Sequence, residues 1–264
     1  TDVQDIEADT EDALAACFFN LNEKKVLYAK NIHERMYPAS TTKIMTALVA
    51  LDKGDLDAQT TVSKEAITFS ESGVSTAKLK EGDVLTLRQL LYALLTVSAN
   101  DAANVIAEQI AGSQDAFVEM MNQEAQKIGA TNTHFVNANG LHSEDHYTTV
   151  YDLYLMFNAA MQHEEFLQML QEKEYQASYQ AADGTTVEAV WSTTNQFTKG
   201  DVTVPDGVTA VGGGKPGTTT AAMSCLVQLF EDAQGEQYVA IILGCKERGI
   251  LYQEMQTFLS NLNN

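Results

Sequence analysis

The sequence has few of the residues that cross-link chains or bind metal through sulfur. Its 264 residues include only three cysteines, Cys17, Cys225 and Cys245, and three cannot all pair. Each lies in an apolar, strand-like run, so we interpret them as small buried hydrophobic residues. The spacing of the cysteines neither supports nor rules out a disulfide between neighbouring strands. There is no Cys-x-x-Cys or zinc-ligand pattern, and we predict no metal site.

Basic residues and long apolar runs are also scarce. Sixteen lysines and arginines face 36 aspartates and glutamates, which gives a formal charge of −20. This balance argues against nucleic acid as a partner and against electrostatic docking on an anionic membrane. No apolar run reaches the roughly 18 residues of a membrane span. The chain does not begin with a basic segment followed by an apolar one, so we expect any signal peptide to have been removed or never to have existed.

The order of predicted elements gives the fold class. We expect a flexible polar leader over residues 1–12 and a single domain over residues 13–264. Two strands form a hairpin near the start, a long helical middle follows, and three strands and a helix end the chain. This order predicts an α/β (α+β) fold, in which helices flank a five-stranded antiparallel sheet. The sheet part covers about residues 13–60 and 196–264, and the mainly helical insertion about residues 61–195.

The stretch from Tyr37 to Leu48 holds the first candidate site. Ser40 precedes a helix with a buried face, and Lys43 lies three residues later on the same side. A serine at a helix N-terminus faces unpaired N–H groups, and a lysine of depressed pKa can accept its proton. Ser-x-x-Lys is so common that, taken alone, it is better explained as a capping serine with a surface lysine.

Two further stretches supply what acyl transfer by a serine needs. Ser98 and Asn100 follow a strongly apolar helix, and Lys215, Gly217 and Thr218 open a glycine-rich strand. A nucleophile requires a base, a proton relay, a cation for an anionic substrate and two oxyanion N–H donors. These serines and lysines fill the first four roles, and the glycines let a substrate backbone approach.

With these motifs in order, the chain resembles the low-molecular-weight penicillin-binding proteins that act as D-Ala-D-Ala carboxypeptidases. The similarity runs from about Ala13 to Leu262 and includes "VLYAKN", "YPASTTKIMTAL", "LLTVSANDAANVIAE" and "FVNANGLHSEDHYTT". It implies the β-lactamase/transpeptidase-like fold, acylation by β-lactam antibiotics and no metal or organic cofactor. The substrate it implies is a peptidoglycan stem peptide ending in D-Ala-D-Ala, outside the cytoplasmic membrane. The enzyme would be secreted or associated with the cell wall or membrane of a bacterium.

The resemblance also implies the roles of the site residues. Ser40 would attack the penultimate D-Ala carbonyl, Lys43 would be its base, and Ser98 would relay the proton. For substrate binding, the resemblance implies that Asn100 hydrogen-bonds the substrate amide. It also implies that the charge of Lys215 maintains the electrostatic field of the site. The N–H groups of Ser40 and Thr218 would form the oxyanion hole, with Gly217 beside them.

One position departs from the family pattern. The expected Lys-Thr-Gly or Lys-Ser-Gly is Lys215-Pro216-Gly217, so the hydroxyl that would bind the terminal carboxylate is missing. Losing a hydrogen bond to a charged group costs about 1.5–3 kcal/mol, which corresponds to a rate reduced about 10- to 100-fold. We therefore predict a weakened carboxypeptidase. A non-catalytic penicillin-binding sensor is the main alternative. A β-lactamase is less favoured, because no clear Glu-x-x-x-Asn counterpart occurs over residues 136–149.

Several other residues keep two interpretations. His142 and His146 could ligate a metal or belong to a polar loop. Arg248 could meet the substrate carboxylate or pair on the surface. Asn139 and Asp152 fit either the site or ordinary loop and capping roles, and Tyr175 and Trp191 either packing or sugar contact. The sequence does not indicate the oligomeric state.

Overall fold

The computed structural model describes residues 2–209 and 212–262. The strands are β1 (Val3–Gln4), β2 (Ala15–Asn20), β3 (Lys25–Lys30), β4 (Gln59–Thr61), β5 (Val84–Thr86), β6 (Glu174–Gln180), β7 (Thr186–Ser192), β8 (Val208–Thr209), β9 (Gly214–Thr219), β10 (Met223–Asp232) and β11 (Gln237–Cys245). The helices are a 3-10 helix (Ala39–Thr42), α1 (Lys43–Lys53), α2 (Leu87–Thr96), α3 (Asn100–Ala111), α4 (Gln114–Lys127), α5 (Val150–Ala160), α6 (Glu164–Gln171), α7 (Gln196–Lys199) and α8 (Arg248–Leu259).

The main sheet is antiparallel, in the order β1-β3-β2-β11-β10, and both β8 and β9 pair with β10. Five of its strands are long, as predicted from the sequence. The other two, β1 and β8, have two residues each, too few for an alternating pattern to reveal them. The α/β class with flanking helices is therefore confirmed, with two short strands added to the predicted five.

The two faces of the main sheet pack against different helices, because apolar side chains occupy both faces of its central strands. On one face, Phe18 stacks on Phe258 of α8 with ring centroids 5.2 Å apart. On the other face, Cys17 and Ile241 join the core of the helical part. Since β10 and β11 are covered on both sides, their sequences are nearly continuous apolar runs.

The helical part follows ordinary start and stop signals. Thr86 and Gln89 form a capping box that begins α2, and Gly112 ends α3 in the left-handed conformation (φ 84°). A second sheet, β4-β5-β6-β7, lies within this part. Its β6–β7 hairpin turns at Asp183-Gly184, and β4 and β5 have only three residues each.

The segment predicted as a flexible leader lies against the domain from residue 2 onward. Strand β1 pairs with β3, and Thr10 is buried with its hydroxyl 2.7 Å from that of Tyr28. The backbone N–H of Asp12 donates to Glu254 on α8 at 2.8 Å. These contacts attach residues 2–12 to the edge of the main sheet and to its last helix, rather than leaving them as a projecting tail.

All three cysteines are buried and unpaired, as the apolar runs suggested. Cys225 belongs to the core between sheet and helical part, and Cys245 to the core beneath α8. They therefore lie on opposite faces of two paired strands, which prevents a disulfide between them. Burial raises the pKa of the Cys225 thiol to about 12, so it stays protonated.

Candidate active site

Ser40 lies in the 3-10 helix, one turn ahead of α1, so it precedes the α-helix as its sequence pattern suggested. The preceding Ala39 is buried with a left-handed φ of 49°, an uncommon conformation for a residue with a Cβ. Thr41 donates its N–H to Pro38 O at 3.1 Å, which closes the turn. The turn presents Ser40, half-buried, directly above the first residue of α1, Lys43.

The amine of Lys43 has three partners. Its Nζ lies 2.9 Å from Ser40 Oγ, 2.6 Å from Asn100 Oδ1 and 2.7 Å from the backbone oxygen of Asn139. A neutral amine has two N–H donors and one lone pair. Donation to the two carbonyl oxygens therefore leaves the lone pair facing the Ser40 hydroxyl, the geometry of a base beside its nucleophile.

The surroundings of Lys43 favour its neutral form. The side chain is 0% exposed. Burial, and after it the charge of Lys215, holds the pKa of Lys43 well below its usual range, and the carboxylate of Asp101 only partly opposes this.

Ser98 and Lys215 form the second pair of the site. Ser98 lies between α2 and α3 in a left-handed conformation (φ 57°), which turns its hydroxyl toward β9. Lys215 Nζ donates to Ser98 Oγ at 3.1 Å and to the oxygen of Pro216 at 2.6 Å. Burial, with the nearby charge of Arg248, lowers the pKa of Lys215 to about 7. A proton can thus be held or released there near neutral pH.

Strand β9 forms one wall of the site. Among the described residues, β9 pairs only with β10, so the other edge of β9 has no strand partner. The oxygen of Pro216 points to that free edge, because it accepts from the Lys215 side chain. A residue's N–H and C=O share one edge of a strand, so the missing N–H of Pro216 costs no hydrogen bond to β10. By the same alternation, the N–H of Thr218 faces the free edge.

Gly217 lies against the backbone of Ser40, a contact that the sequence did not predict. A Cβ there would lie 2.5 Å from the backbone nitrogen of Ser40. Any larger residue would push Ser40 away from β9, so glycine allows Ser40 N and Thr218 N to border one space.

Asp101, which the sequence did not indicate as a site residue, fixes the wall opposite β9. It is 1% exposed and accepts from the N–H groups of Ala77 (2.9 Å) and Leu79 (3.0 Å). The neighbouring Asn100 donates its N–H to Ser75 O at 2.8 Å. One short stretch of α3 thus holds both Lys43, through the Asn100 amide, and residues 75–79, through Asp101.

The loop after α4 closes the site from a third side. Besides the Asn139 carbonyl, the oxygen of Ala138 accepts from Thr46 at 2.6 Å. Sequence reasoning left Asn139 open as a site or a loop residue. The structure brings its backbone oxygen to Lys43 and its side chain to Asn104 at 3.1 Å. A side-chain pattern contains no signal for a contact made by a backbone carbonyl.

His146 anchors this loop, and its two ring nitrogens are both occupied. Nδ1 accepts from Val136 N at 3.0 Å, so Nε2 carries the hydrogen and donates to Thr42 at 2.8 Å. Burial, then the neighbouring His134 and His142, lowers the pKa of His146 to about 3. His142 packs its ring edge-on against Tyr37 instead. Metal ligation by this histidine pair is therefore excluded.

The remaining candidates lie outside the reacting centre. Asp152 is buried and accepts from Asn132 N and Thr133 Oγ1, which is a structural role in the loop. Tyr175 stacks on Tyr92 at 3.9 Å, and Trp191 is 3% exposed, so both are packing residues. Arg248 is exposed at the start of α8, close enough to Lys215 to influence its pKa.

A cavity of about 210 Å³ lies beside Ser40. Its lining includes Ser40, Asn100, Asn139, Thr218 and the loop of residues 71–75. Within residues 2–209 and 212–262, no three histidine, cysteine, aspartate or glutamate side chains converge as metal ligands do. Nor does any helix in this described part have the length and apolarity needed to cross a bilayer.

Comparison with known proteins identifies the family of the chain. A family described as D-alanyl-D-alanine carboxypeptidase matches residues 2–247. DacC of Escherichia coli, named a D-alanyl-D-alanine carboxypeptidase, is 31% identical over 97% of this chain and 62% of its own length. DacF of Bacillus subtilis, named likewise, is 38% identical over 58% of this chain and 40% of its own length. The chain thus spans between about two fifths and three fifths of these relatives.

Solved structures agree with the sequence comparison. A DD-transpeptidase from Streptomyces superposes with a TM-score of 0.87 at 28% identity, covering 97% of this chain and 98% of that one. A D-alanyl-D-alanine carboxypeptidase from Mycobacterium tuberculosis gives 0.84 at 28% identity, with 98% and 95% covered. The whole described fold, and not the motifs alone, is shared with these proteins.

Proposed function

The chain belongs to the D-alanyl-D-alanine carboxypeptidase family, and on that premise we propose that it is a serine-type carboxypeptidase that trims peptidoglycan stem peptides. The observation that carries this proposal is the buried amine of Lys43, 2.9 Å from Ser40 Oγ and held by Asn100 and Asn139. The substrate is a peptide ending in D-Ala-D-Ala. It lies outside the cytoplasmic membrane, so the enzyme acts there, secreted or associated with the cell wall or membrane.

The first half of the reaction acylates the enzyme. Lys43 Nζ takes the proton of Ser40 Oγ, and Oγ bonds to the carbonyl carbon of the penultimate D-Ala. The N–H groups of Ser40 and Thr218 stabilise the oxyanion. The C–N bond then breaks. The proton that Lys43 took passes through Ser98 Oγ, beside the Lys215 amine, to the leaving D-Ala nitrogen, so Lys43 is neutral again.

The second half regenerates the enzyme. Water attacks the ester carbonyl, Lys43 accepts its proton, and the peptide leaves with a new carboxylate as Ser40 recovers its hydrogen. A β-lactam would acylate Ser40 in the same way. Its ring-opened amine stays attached, so hydrolysis of that ester is slow. No cofactor enters either half.

The terminal carboxylate meets an altered site. Lys215 and the exposed Arg248 are the cations on that side, and Pro216 offers no hydroxyl. We therefore propose that the enzyme turns over peptides ending in D-Ala-D-Ala more slowly than it would with a hydroxyl at this position. The absent hydroxyl also favours the second candidate, a penicillin-binding sensor that acylates without turning over.

A single assay distinguishes the carboxypeptidase from the penicillin-binding sensor. The protein is incubated with a D-Ala-D-Ala pentapeptide and, separately, with penicillin, while D-Ala release and the mass of the peptide containing Ser40 are followed. The matched variants are Ser40→Ala and Ser70→Ala, the latter an exposed serine outside the site. Multiple turnover that is lost only in Ser40→Ala supports the carboxypeptidase. A stable penicillin adduct without D-Ala release supports the sensor. Absence of both adduct and release overturns both.

A further inference from the structure

The cavity beside Ser40 is lined by one charged residue, Glu71. Resting on the proposed function, we propose that Glu71 is a specificity-determining residue that selects stem peptides bearing a protonated amine on the residue before D-Ala-D-Ala.

The cavity lies on the acyl side of the nucleophile. Its lining shares the end of β9, Thr218 and Thr219, but neither Ser98 nor Lys215 contributes to it. Those two residues meet the leaving D-Ala. The space on the other side of Ser40 must therefore receive the part of the substrate that stays on the enzyme, which includes the side chain preceding the D-Ala pair.

The wall that carries Glu71 is anchored at its far end. Residues 71–75 line the cavity, and the oxygen of Ser75 accepts from Asn100 N at 2.8 Å. Just beyond, Asp101 binds the N–H groups of Ala77 and Leu79. The same stretch of α3 that orients Lys43 thus positions this wall.

The charge of Glu71 has no internal partner among the described residues. Its carboxylate takes part in none of the ion pairs found there, which lie elsewhere on the surface. The twelve other residues lining the cavity are uncharged. A cation on the substrate would be the first to neutralise this carboxylate, without displacing an existing bond.

The test uses two tripeptides that differ at one side-chain nitrogen: Nα-acetyl-Lys-D-Ala-D-Ala, with a charged Nε amine, and its Nε-acetylated form, which is neutral. The wild type should have a kcat/KM about two to five times higher for the free amine, the range of an exposed ion pair, and the ratio should shrink in high salt. Glu71→Gln should bring the ratio to one, and Glu71→Lys should invert it. Glu65→Gln, an exposed glutamate outside the cavity, should leave it unchanged.

An equal ratio in the wild type and Glu71→Gln overturns the inference. So does an equal loss for both peptides, because that result indicates a role in activating water rather than in selection. If neither peptide is cleaved, the proposed function fails, and acylation decides the inference separately. Aminobenzylpenicillin and benzylpenicillin carry the same single-charge difference on the acyl side, and only the wild type should acylate faster with the amine.

Discussion

Gly140 and Ala39 meet backbone to backbone: a Cβ on Gly140 would lie 2.1 Å from the carbonyl oxygen of Ala39. Both residues have left-handed φ values, 92° and 49°. The contact presses the loop that supplies the Asn139 carbonyl against the turn that carries Ser40. Ser40 and Lys43 are therefore aligned by main-chain contact as well as by hydrogen bonds, so an added methyl group at this contact would disturb both.

The first prediction concerns that contact. Gly140→Ala should slow penicillin acylation by about tenfold or more, because the added methyl must push Asn139 away from Lys43. Gly184→Ala is the matched control, since its φ of 82° imposes the same backbone strain in open space. Acylation rates and thermal unfolding of both variants provide the measurement. Similar rates in the two variants would show that strain, and not the clash, is responsible.

The second prediction concerns the carboxylate that holds the cavity wall. Asp101→Asn loses one acceptor oxygen, so the N–H of Ala77 or Leu79 is left unpaired, at a cost of about 1–3 kcal/mol. We expect lower stability toward urea together with slower acylation. Asp115→Asn, in the exposed first turn of α4, should change neither. A variant that is destabilised but acylates normally would contradict a link between this wall and the catalytic residues.

The third prediction concerns the proton on Lys215. Its pKa of about 7 means that the amine is charged below that pH and loses its charge above it. Because kcat/KM reports the free enzyme, acylation should fall as pH rises through about 7. Arg248→Gln removes a charge that lowers this pKa, so the alkaline limb should move to higher pH. The measurement is the pH at which the alkaline limb falls, and not the maximal rate. If this pH is the same in Arg248→Gln and in the wild type, the limb does not report the proton on Lys215.

The fourth prediction concerns Pro216. Its backbone position faces the free edge of β9, so Pro216→Thr restores both an N–H and a hydroxyl toward the cleft without disturbing the pairing with Leu226. D-Ala release from a D-Ala-D-Ala peptide should rise about 10- to 100-fold. Unchanged release would mean that the proline causes no deficit. Pro205→Thr, outside the site, controls for a general effect of replacing proline.

The fifth prediction concerns acid stability. His146 is neutral in the folded state, with a pKa of about 3, against an ordinary value of 6.5. Its contribution is complete above pH 6.5 and is lost as pH falls toward 3, because only the unfolded state then binds the proton. Urea unfolding between pH 7 and 4 should show this slope in the wild type and in His142→Gln, but less of it in His146→Gln. Equal slopes in all three proteins would refute it.

The sequence predicted the features that depend on side-chain patterns, but not those that depend on backbone atoms. Strands β10 and β11 and helix α1 could be found because their side chains follow apolar patterns. The positions of Ser40 and Lys43 followed from helical spacing. The left-handed Ser98, the Asn139 carbonyl and the clamp made by Asp101 could not be found this way. They depend on backbone atoms brought together by tertiary packing, which no side-chain period encodes.

The pairing of β2 with β11 bears on the order of events during synthesis. Ala15 lies opposite Leu243, so the middle of the sheet joins residues from near the two ends of the described chain. Closing so long a loop is slow and must wait until β11 has left the ribosome. Strand β9 borders Ser40 and reaches β2 only through β10 and β11. A nascent chain that already contains every catalytic residue would therefore still be inert toward penicillin until its last strand emerges.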